Sequence, residues 1–74
     1  MTPRRLGNRL KEARAARGLT QADLALAVSV SRKTINTIEN QVFVPSTLLA
    51  LSLAAALETT VEALFFVTED ESQK

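Results

Sequence analysis

The segment Thr20–Asn40 constrains this chain most, because it predicts two short helices joined by a tight turn. Each helix follows a hydroxyl residue that can accept a hydrogen bond from a free N–H group, Thr20 in the first and Ser31 in the second. Asp23 completes a capping-box pattern with Thr20. Val30 lies inside the turn and is expected to fill the angle between the helices. The second helix would then have one covered face and one open face.

Length and composition indicate a single small domain without a catalytic site. The chain has 74 residues, 46% of them hydrophobic, and contains neither cysteine nor histidine. Disulfides, the usual zinc ligands and the usual general base are therefore missing, and we expect no enzyme activity, metal or cofactor. The most apolar run, Leu48–Leu57, is about half as long as a membrane-spanning helix. With no targeting segment evident, a cytoplasmic location without membrane contact is expected.

Apolar spacing and capping residues predict an all-α fold, a compact bundle of five helices. Leu6, Leu10 and Ala13 would share one face of the first helix. Near the other end, Phe66 and Val67 are expected to form a short strand that pairs across a dimer axis. The predicted helices are Pro3–Arg17, a helix starting after Thr20, then 32–40, Thr47–Leu57 and Val61–Leu64. Residues 1–67 form the predicted domain, and residues 68–74 a disordered acidic tail.

The charges are unevenly distributed along the chain, whose net charge is only +1. Residues 1–33 hold eight cations and two carboxylates, a net of +6, whereas residues 34–74 hold one cation and six carboxylates, a net of −5. A chain divided in this way can turn a basic surface towards phosphates and keep its acidic half away from them. Ordinary solvated charge is the alternative, which the distribution alone leaves open.

The third predicted helix has the properties of a helix offered to nucleic acid. Ile35 and Ile38 would anchor it from inside. Its outward cations suit guanine or phosphate, and its amide suits adenine, in a major groove that admits one α-helix. Because this face lacks the acid–base pairs of a generic surface helix, DNA contact is favoured over simple solvation. The outward residues are Arg32, Lys33, Asn36 and Thr37, with Gln21 on one flank and Asn40 and Gln41 on the other.

Six motifs between residues 6 and 65 resemble the helix-turn-helix family of phage repressors and Cro, the xenobiotic-response-element type. They are Leu6-x3-Leu10-Lys-Glu-x-Arg14, Gly18-Leu-Thr-Gln-Ala-Asp-Leu-Ala25, Val30-Ser-Arg-x-Thr-Ile35, Ile38-Glu-Asn40, Pro45-Ser46 and Leu64-Phe65. The resemblance implies a lambda-repressor-like bundle. It further implies a transcriptional regulator, expected to repress, that binds a palindromic operator in double-stranded DNA as a homodimer.

The resemblance also implies roles for individual residues. Arg14 and Glu39 match a half-buried ion pair between the first and third helices, which could fix the orientation of the third. Three other positions depart from the family, which commonly has glycine at positions 29, 41 and 58. Glu58 in particular predicts that the fourth helix runs further. The positions that match DNA-facing residues of the family are Gln21, Ser31, Arg32, Lys33, Asn36 and Thr37.

The fourth predicted helix is apolar on two faces, where a surface helix needs only one. One stripe would pack on the core, namely Leu49, Leu53, Ala56 and Leu57. A second apolar stripe predicts a homodimer interface, with deeper burial in the monomer as the alternative. A different chain could use the same surface, so an antitoxin-like module that binds a protein partner is our second hypothesis. The predicted interface residues are Leu48, Leu51, Ser52, Ala55, Phe65, Phe66 and Val67.

Overall fold

The computed structural model describes residues 4–69, which form five helices and a two-stranded antiparallel sheet. In chain order the elements are β1 (Arg4–Asn8), α1 (Leu10–Ala16), α2 (Gln21–Ala27), α3 (Arg32–Glu39), α4 (Thr47–Ala56), α5 (Val61–Leu64) and β2 (Phe65–Glu69). The predicted bundle of five helices is confirmed. Thr68 and Glu69, which the sequence placed in the tail, belong to β2, and the remainder of that predicted tail lies outside the described residues.

Helices α2 to α5 begin at hydroxyl caps, as their sequences predict. In each case the side-chain oxygen accepts a hydrogen bond from the backbone N–H three residues later. Each such cap stabilises its helix by about 1 kcal/mol. The four caps are Thr20, Ser31, Ser46 and Thr60.

The first helix is shorter than predicted, because α1 begins at Leu10 and the residues before it form β1. The prediction of a helix from Pro3 is therefore wrong. Gly7 lies opposite Phe66 in the ladder, and a Cβ at position 7 would collide with that aromatic ring. Asn8 satisfies the first free N–H group of α1, because its Oδ1 accepts a 3.0 Å hydrogen bond from the Leu10 N–H.

The C-terminal strand exists, but its partner is β1 of the same chain rather than a second copy. The register pairs Leu6 with Val67 and Asn8 with Phe65. A 2.8 Å hydrogen bond from the Arg9 N–H to the Leu64 carbonyl holds the ends of β1 and α5 together. The expected pairing across a dimer axis is wrong for this edge of β2, because β1 already occupies it.

The core lies between the helices and is closed at one end by the sheet. Within residues 4–69, the largest fully buried side chains are those of Leu10, Leu24, Ile35, Ile38, Leu53 and Leu64. Val30 packs on the rim of this cluster from the α2–α3 turn, as predicted. In the part of the chain that the structure describes, no helix has the length and apolar character needed to cross a bilayer.

In the described part of the chain, three non-glycine residues adopt the left-handed backbone conformation at helix ends: Ser29 (φ 61°), Gln41 (φ 63°) and Glu58 (φ 55°). These ends share one geometry. After α4, for example, the Thr59 N–H bonds the Ala54 carbonyl and the Glu58 N–H bonds the Ala55 carbonyl, which is a Schellman closure. A side chain in this conformation costs about 1 kcal/mol relative to glycine. The backbone keeps its turns despite that cost.

Glu58 therefore does not extend the fourth helix, and that prediction is wrong. Helix α4 ends at Ala56 with Leu57 as its C-cap. Leu57 is buried in the core, and continuing the helix would move the following residues away from the turn that leads to α5. The packing of α4 and α5 thus overrides the local preference of a glutamate for helix.

Candidate nucleic-acid interface

Helix α3 is sharply divided between a buried face and an open face. The side chains of Ile35 and Ile38 are fully covered by the core. Arg32, Lys33 and Asn36 are exposed and together line a shallow concavity of about 330 Å³. The helix is therefore fixed from behind and presents two cations and an amide in front.

The hydroxyl residues of α3 are partly occupied by the helix itself. Ser31 caps the helix through the Thr34 N–H, and its hydroxyl lies 3.0 Å from the Thr34 hydroxyl. Thr37 is half-buried and donates a 2.9 Å hydrogen bond to the Thr34 carbonyl. Ser31 thus acts first as a cap, while Thr37 keeps its methyl group and its oxygen lone pairs for a partner.

A bidentate ion pair braces the far end of α3 against α1. Arg14 Nε lies 2.7 Å from Glu39 Oε2, and Arg14 Nη2 lies 3.3 Å from Glu39 Oε1. Arg14 also donates to the Leu19 carbonyl at 2.8 Å, and Gln21 Nε2 donates to Glu39 Oε1 at 2.9 Å. The Glu39 side chain is only 4% exposed. One carboxylate therefore ties α1, α2 and α3 together.

The charge state of this cluster follows from its hydrogen bonds. Burial alone would raise the pKa of Glu39, but hydrogen bonds from Arg14 and Gln21 outweigh it, with help from the charges of Arg14 and Lys11. The net effect holds the pKa of Glu39 below its ordinary value of 4.5. The hydrogen bond to Glu39 raises the pKa of Arg14. Both groups are therefore ionised at neutral pH.

The flanking residues Gln21, Asn40 and Gln41 are held by hydrogen bonds within the chain. Gln21 shares its amide with Glu39, as described above. Asn40 Nδ2 donates to Asn36 Oδ1 at 3.3 Å, which aligns the two amides along the open face. Gln41 Nε2 donates to the Leu6 carbonyl at 3.3 Å. These hydrogen bonds place all three side chains beside the C-terminal end of α3.

One residue that positions α3 was missed by sequence reasoning. Asn8 Nδ2 donates a 2.9 Å hydrogen bond to the Ile38 carbonyl in the last turn of α3. Its side chain therefore links β1, α1 and α3. An asparagine shortly before an apolar helical face is a helix-start signal. Used in this way, the signal predicts a shorter first helix and identifies Asn8.

Helix α4 separates its two apolar stripes as the sequence predicts. Leu53 and Leu57 are buried, while Leu48 and Leu51 are 76% and 55% exposed. Ala55 is exposed, and Ser52 is half-buried with its hydroxyl donating to the Leu48 carbonyl at 2.9 Å. The outer surface of α4 is therefore apolar and open in the monomer.

One of the two C-terminal phenylalanines, Phe65, is less accessible than the sequence predicted. Phe65 is buried in the core, so its side chain is not available as an interface residue, contrary to the sequence prediction. Phe66 is half-buried, and the Arg9 guanidinium lies over its ring at 4.6 Å from the centroid. Val67 is exposed. Of the three predicted interface residues in this segment, Phe66 and Val67 remain accessible to a partner.

Comparison with known sequences identifies close relatives of similar length. The uncharacterized HTH-type transcriptional regulator YgzD of Bacillus subtilis is 40% identical over 63 residues, which cover 85% of this chain and 96% of the relative. The uncharacterized HTH-type transcriptional regulator MJ0272 of Methanocaldococcus jannaschii is 42% identical over 64 residues, with 86% and 97% covered.

Solved structures show the same architecture. The restriction-modification controller protein C.AhdI from Aeromonas hydrophila superimposes with a TM-score of 0.71 and 33% identity, covering 74% of this chain and 83% of that protein. The clp gene regulator ClgR from Corynebacterium glutamicum gives 0.68 and 33%, covering 70% and 55%. The helix-turn-helix family model HTH_3 matches residues 10–64, which contain the braced α2–α3 unit. This chain therefore belongs to the helix-turn-helix family of Cro/C1-type DNA-binding transcriptional regulators.

Proposed function

We propose that this chain is a repressor that binds a palindromic operator as a homodimer, with α3 in the major groove of each half-site. The observation that carries the proposal is the open face of α3. Arg32, Lys33 and Asn36 are exposed together, while Ile35 and Ile38 hold the helix rigidly from behind. A reading helix needs this combination, because base contacts discriminate only when the helix cannot rotate away.

Each residue of the open face has a chemical role in this proposal. Arg32 and Lys33 contact guanine acceptors or phosphates, and Asn36 contacts the edge of adenine. Thr37 offers its methyl group to thymine. The remaining residues hold the two flanks of the helix on the sugar–phosphate backbone, and they are Gln21, Ser31, Asn40 and Gln41.

Dimerisation is proposed through the outer face of α4. Leu48 and Leu51 are exposed there, and Leu51 also borders an apolar groove of about 350 Å³ that includes Ala50 and Val61. A twofold contact buries this surface on both copies and sets the distance between the two α3 helices. Ser52 and Ala55 lie beside these leucines, and Phe66 and Val67 complete the proposed interface.

Selection of bound sequences from a random duplex library tests the operator proposal. We expect two inverted half-sites whose centres lie about 34–36 Å apart, one helical turn of DNA. Recovery of single half-sites, or of half-sites in direct repeat, would contradict the palindromic operator. Recovery of no enriched sequence would contradict sequence-specific binding altogether.

A salt titration with a charge-reversal variant tests the role of α3. The affinity of the wild-type chain for its selected duplex should fall by orders of magnitude between about 50 and 200 mM salt. Lys33→Glu should weaken binding strongly, because it places a carboxylate against phosphates or guanine acceptors. Arg17→Glu is a suitable control, since Arg17 pairs with Glu58 at 3.1 Å and belongs to the end of α1, outside the α2–α3 unit. Equal affinity of wild type and Lys33→Glu would reject the assignment.

The exposed face of α4 also favours a second candidate, an antitoxin-like module that binds a protein partner through α4 and the C-terminal segment. Light scattering on the purified chain separates the two. A dimer that Leu48→Glu converts to a monomer supports self-association. A strict monomer at micromolar concentration would contradict the homodimer and leave the apolar face for a different chain.

A further inference from the structure

The N-terminal strand lies directly beside the C-terminal end of the reading helix. Asn8 Nδ2 donates to the Ile38 carbonyl at 2.9 Å, and Gln41 Nε2 donates to the Leu6 carbonyl at 3.3 Å. These two hydrogen bonds join β1 to the last turn of α3 and to the residue that follows it. The segment that joins β1 to α1 is therefore next to this end of α3.

The chain after α3 has no charge with which to meet a phosphate. From Asn40 to Leu57 the sequence contains no charged residue. A helix about 10–12 Å in diameter fills a major groove about 12 Å wide, so the phosphate rows pass close to both of its sides along its length. At the C-terminal end, cations for these phosphates must come from another part of the fold.

Three cations belong to β1 and the start of α1, the segment that adjoins this end of α3, and we call Arg5, Arg9 and Lys11 the basic flank. All three are exposed. Among residues 4–69, the ion pairs within 4.0 Å are Arg14–Glu39 and Arg17–Glu58, so neither pair uses the basic flank. Lys11 lies near enough to Glu39 for its charge to lower the pKa of that carboxyl, which places it beside the end of α3.

Arg9 is the best oriented of the three. Its guanidinium lies over the Phe66 ring at 4.6 Å, and that ring in turn packs against Gly7, where no side chain could fit. A guanidinium held on an aromatic face keeps its N–H groups free for a phosphate. It also loses less conformational freedom on binding than an unrestrained arginine would.

We propose that the basic flank contacts phosphates of the DNA strand that borders the C-terminal end of α3. This inference rests on the proposed DNA-binding role of α3 and extends it to a second, sequence-independent contact surface. Arg4 is excluded, because the strand register places it opposite Glu69, so that its charge is offset locally. The contact positions the reading helix on the duplex and contributes affinity without adding sequence preference.

The test compares the salt dependence of binding in a triple variant, Arg5→Gln with Arg9→Gln and Lys11→Gln, and in the matched control Arg17→Gln. The probes are the duplex selected from the random library and a mixed-sequence duplex of equal length. The slope of log affinity against log salt should fall by about 0.9 for each lost phosphate contact, so by between two and three in the triple variant. The affinities for the two duplexes should weaken by the same factor.

Further variants show whether a change in slope comes from a lost contact or from misfolding. They also show whether the basic flank alone or the whole proposed function is contradicted. Arg9→Lys keeps the charge and should retain the wild-type slope, whereas Lys11→Gln alone should lower it by about 0.9. A triple variant with the wild-type slope, in a chain whose binding Lys33→Glu still weakens, overturns the basic flank alone. A wild-type chain that binds neither duplex overturns the proposed function and this inference together.

Discussion

Helices α3 and α4 are built alike and differ in what they show to the outside. Each begins at a serine cap, Ser31 or Ser46, and ends in a Schellman closure around a left-handed residue. Each has an inner face of buried aliphatic side chains, Ile35 and Ile38 in α3 and Leu53 and Ala54 in α4. The outer face of α3, however, is polar and cationic, whereas that of α4 is apolar. The two helices are therefore held in the fold by similar caps, helix ends and buried faces. They differ in the chemistry of the side chains on their outer faces.

The two helices also differ in how they are held. Helix α3 is fixed by its isoleucines together with an ion-pair cluster and the Asn8 hydrogen bond. Helix α4 contains no ionisable residue and is fixed by packing. We infer that the orientation of α3 depends on the charge of Glu39, while that of α4 is insensitive to pH. Variants in α3 and in α4 test this difference.

The largest expected effects come from the inner faces, where the two helices should behave alike. Ile38→Ala in α3 and Leu53→Ala in α4 should each lower the free energy of unfolding by about 3 kcal/mol, because each leaves a cavity in a fully buried site. The outer controls, Asn36→Ala and Leu51→Ala, should stay within about 0.5 kcal/mol of wild type. Urea unfolding at a concentration where the chain is monomeric measures all four. A large loss from Leu51→Ala would show that α4 is less open than its exposure indicates.

The second-largest expected effect concerns the Glu39 ion pair, which holds α3 and has no counterpart in α4. Glu39→Ala should lower the free energy of unfolding by about 2–3 kcal/mol, somewhat less than for a fully buried pair, because Arg14 stays 13% exposed. The pKa of Glu39 is lower in the folded chain than the ordinary 4.5. Its stabilisation is therefore complete above pH 4.5 and is lost as the pH falls through the lower folded pKa.

Acid titration of wild type against Glu39→Gln isolates this contribution. The pKa of Asp23 is also lowered, by its hydrogen bonds to Thr20, but both chains share that group. The stability of wild type should therefore converge on that of Glu39→Gln as the pH falls below 4.5, and α4 adds no ionisable group to the comparison. Parallel curves down to the lowest pH would show that the brace does not depend on the charge of Glu39.

The starts of α2 to α5 could be predicted from sequence because their signals are local. A hydroxyl residue just before a helical repeat of apolar residues can accept a hydrogen bond from the backbone N–H three residues later. Thr20, Ser31, Ser46 and Thr60 all act in this way. The two faces of α3 and of α4 follow from the same period. What each open face binds does not follow from periodicity, and for that the residue types and the family resemblance were needed.

The sheet could not be predicted, because its cause is not local. Leu6 and Leu10 are spaced as on one helical face, and both do contact the core, but Leu6 reaches it from a strand. The pairing that decides this joins Leu6 to Val67, about sixty residues away. Glu58 failed as a signal for the same reason: its own preference favours helix, whereas the buried Leu57 beside it requires the chain to turn. Both errors arose where long-range packing opposes a local pattern.

The smallest expected effect concerns the helix ends. Glu58→Gly should raise the free energy of unfolding by about 0.5–1 kcal/mol, because it removes the strain of a left-handed side chain and loses only an exposed ion pair with Arg17. Glu58→Ala is the matched control: it keeps the strain, loses the ion pair and should not stabilise the chain. Gln41→Gly, at the end of α3, removes the same strain but also the hydrogen bond to the Leu6 carbonyl, so its gain should be smaller. A larger gain from Gln41→Gly than from Glu58→Gly in urea unfolding would show that the hydrogen bond between Gln41 and Leu6 contributes little to stability.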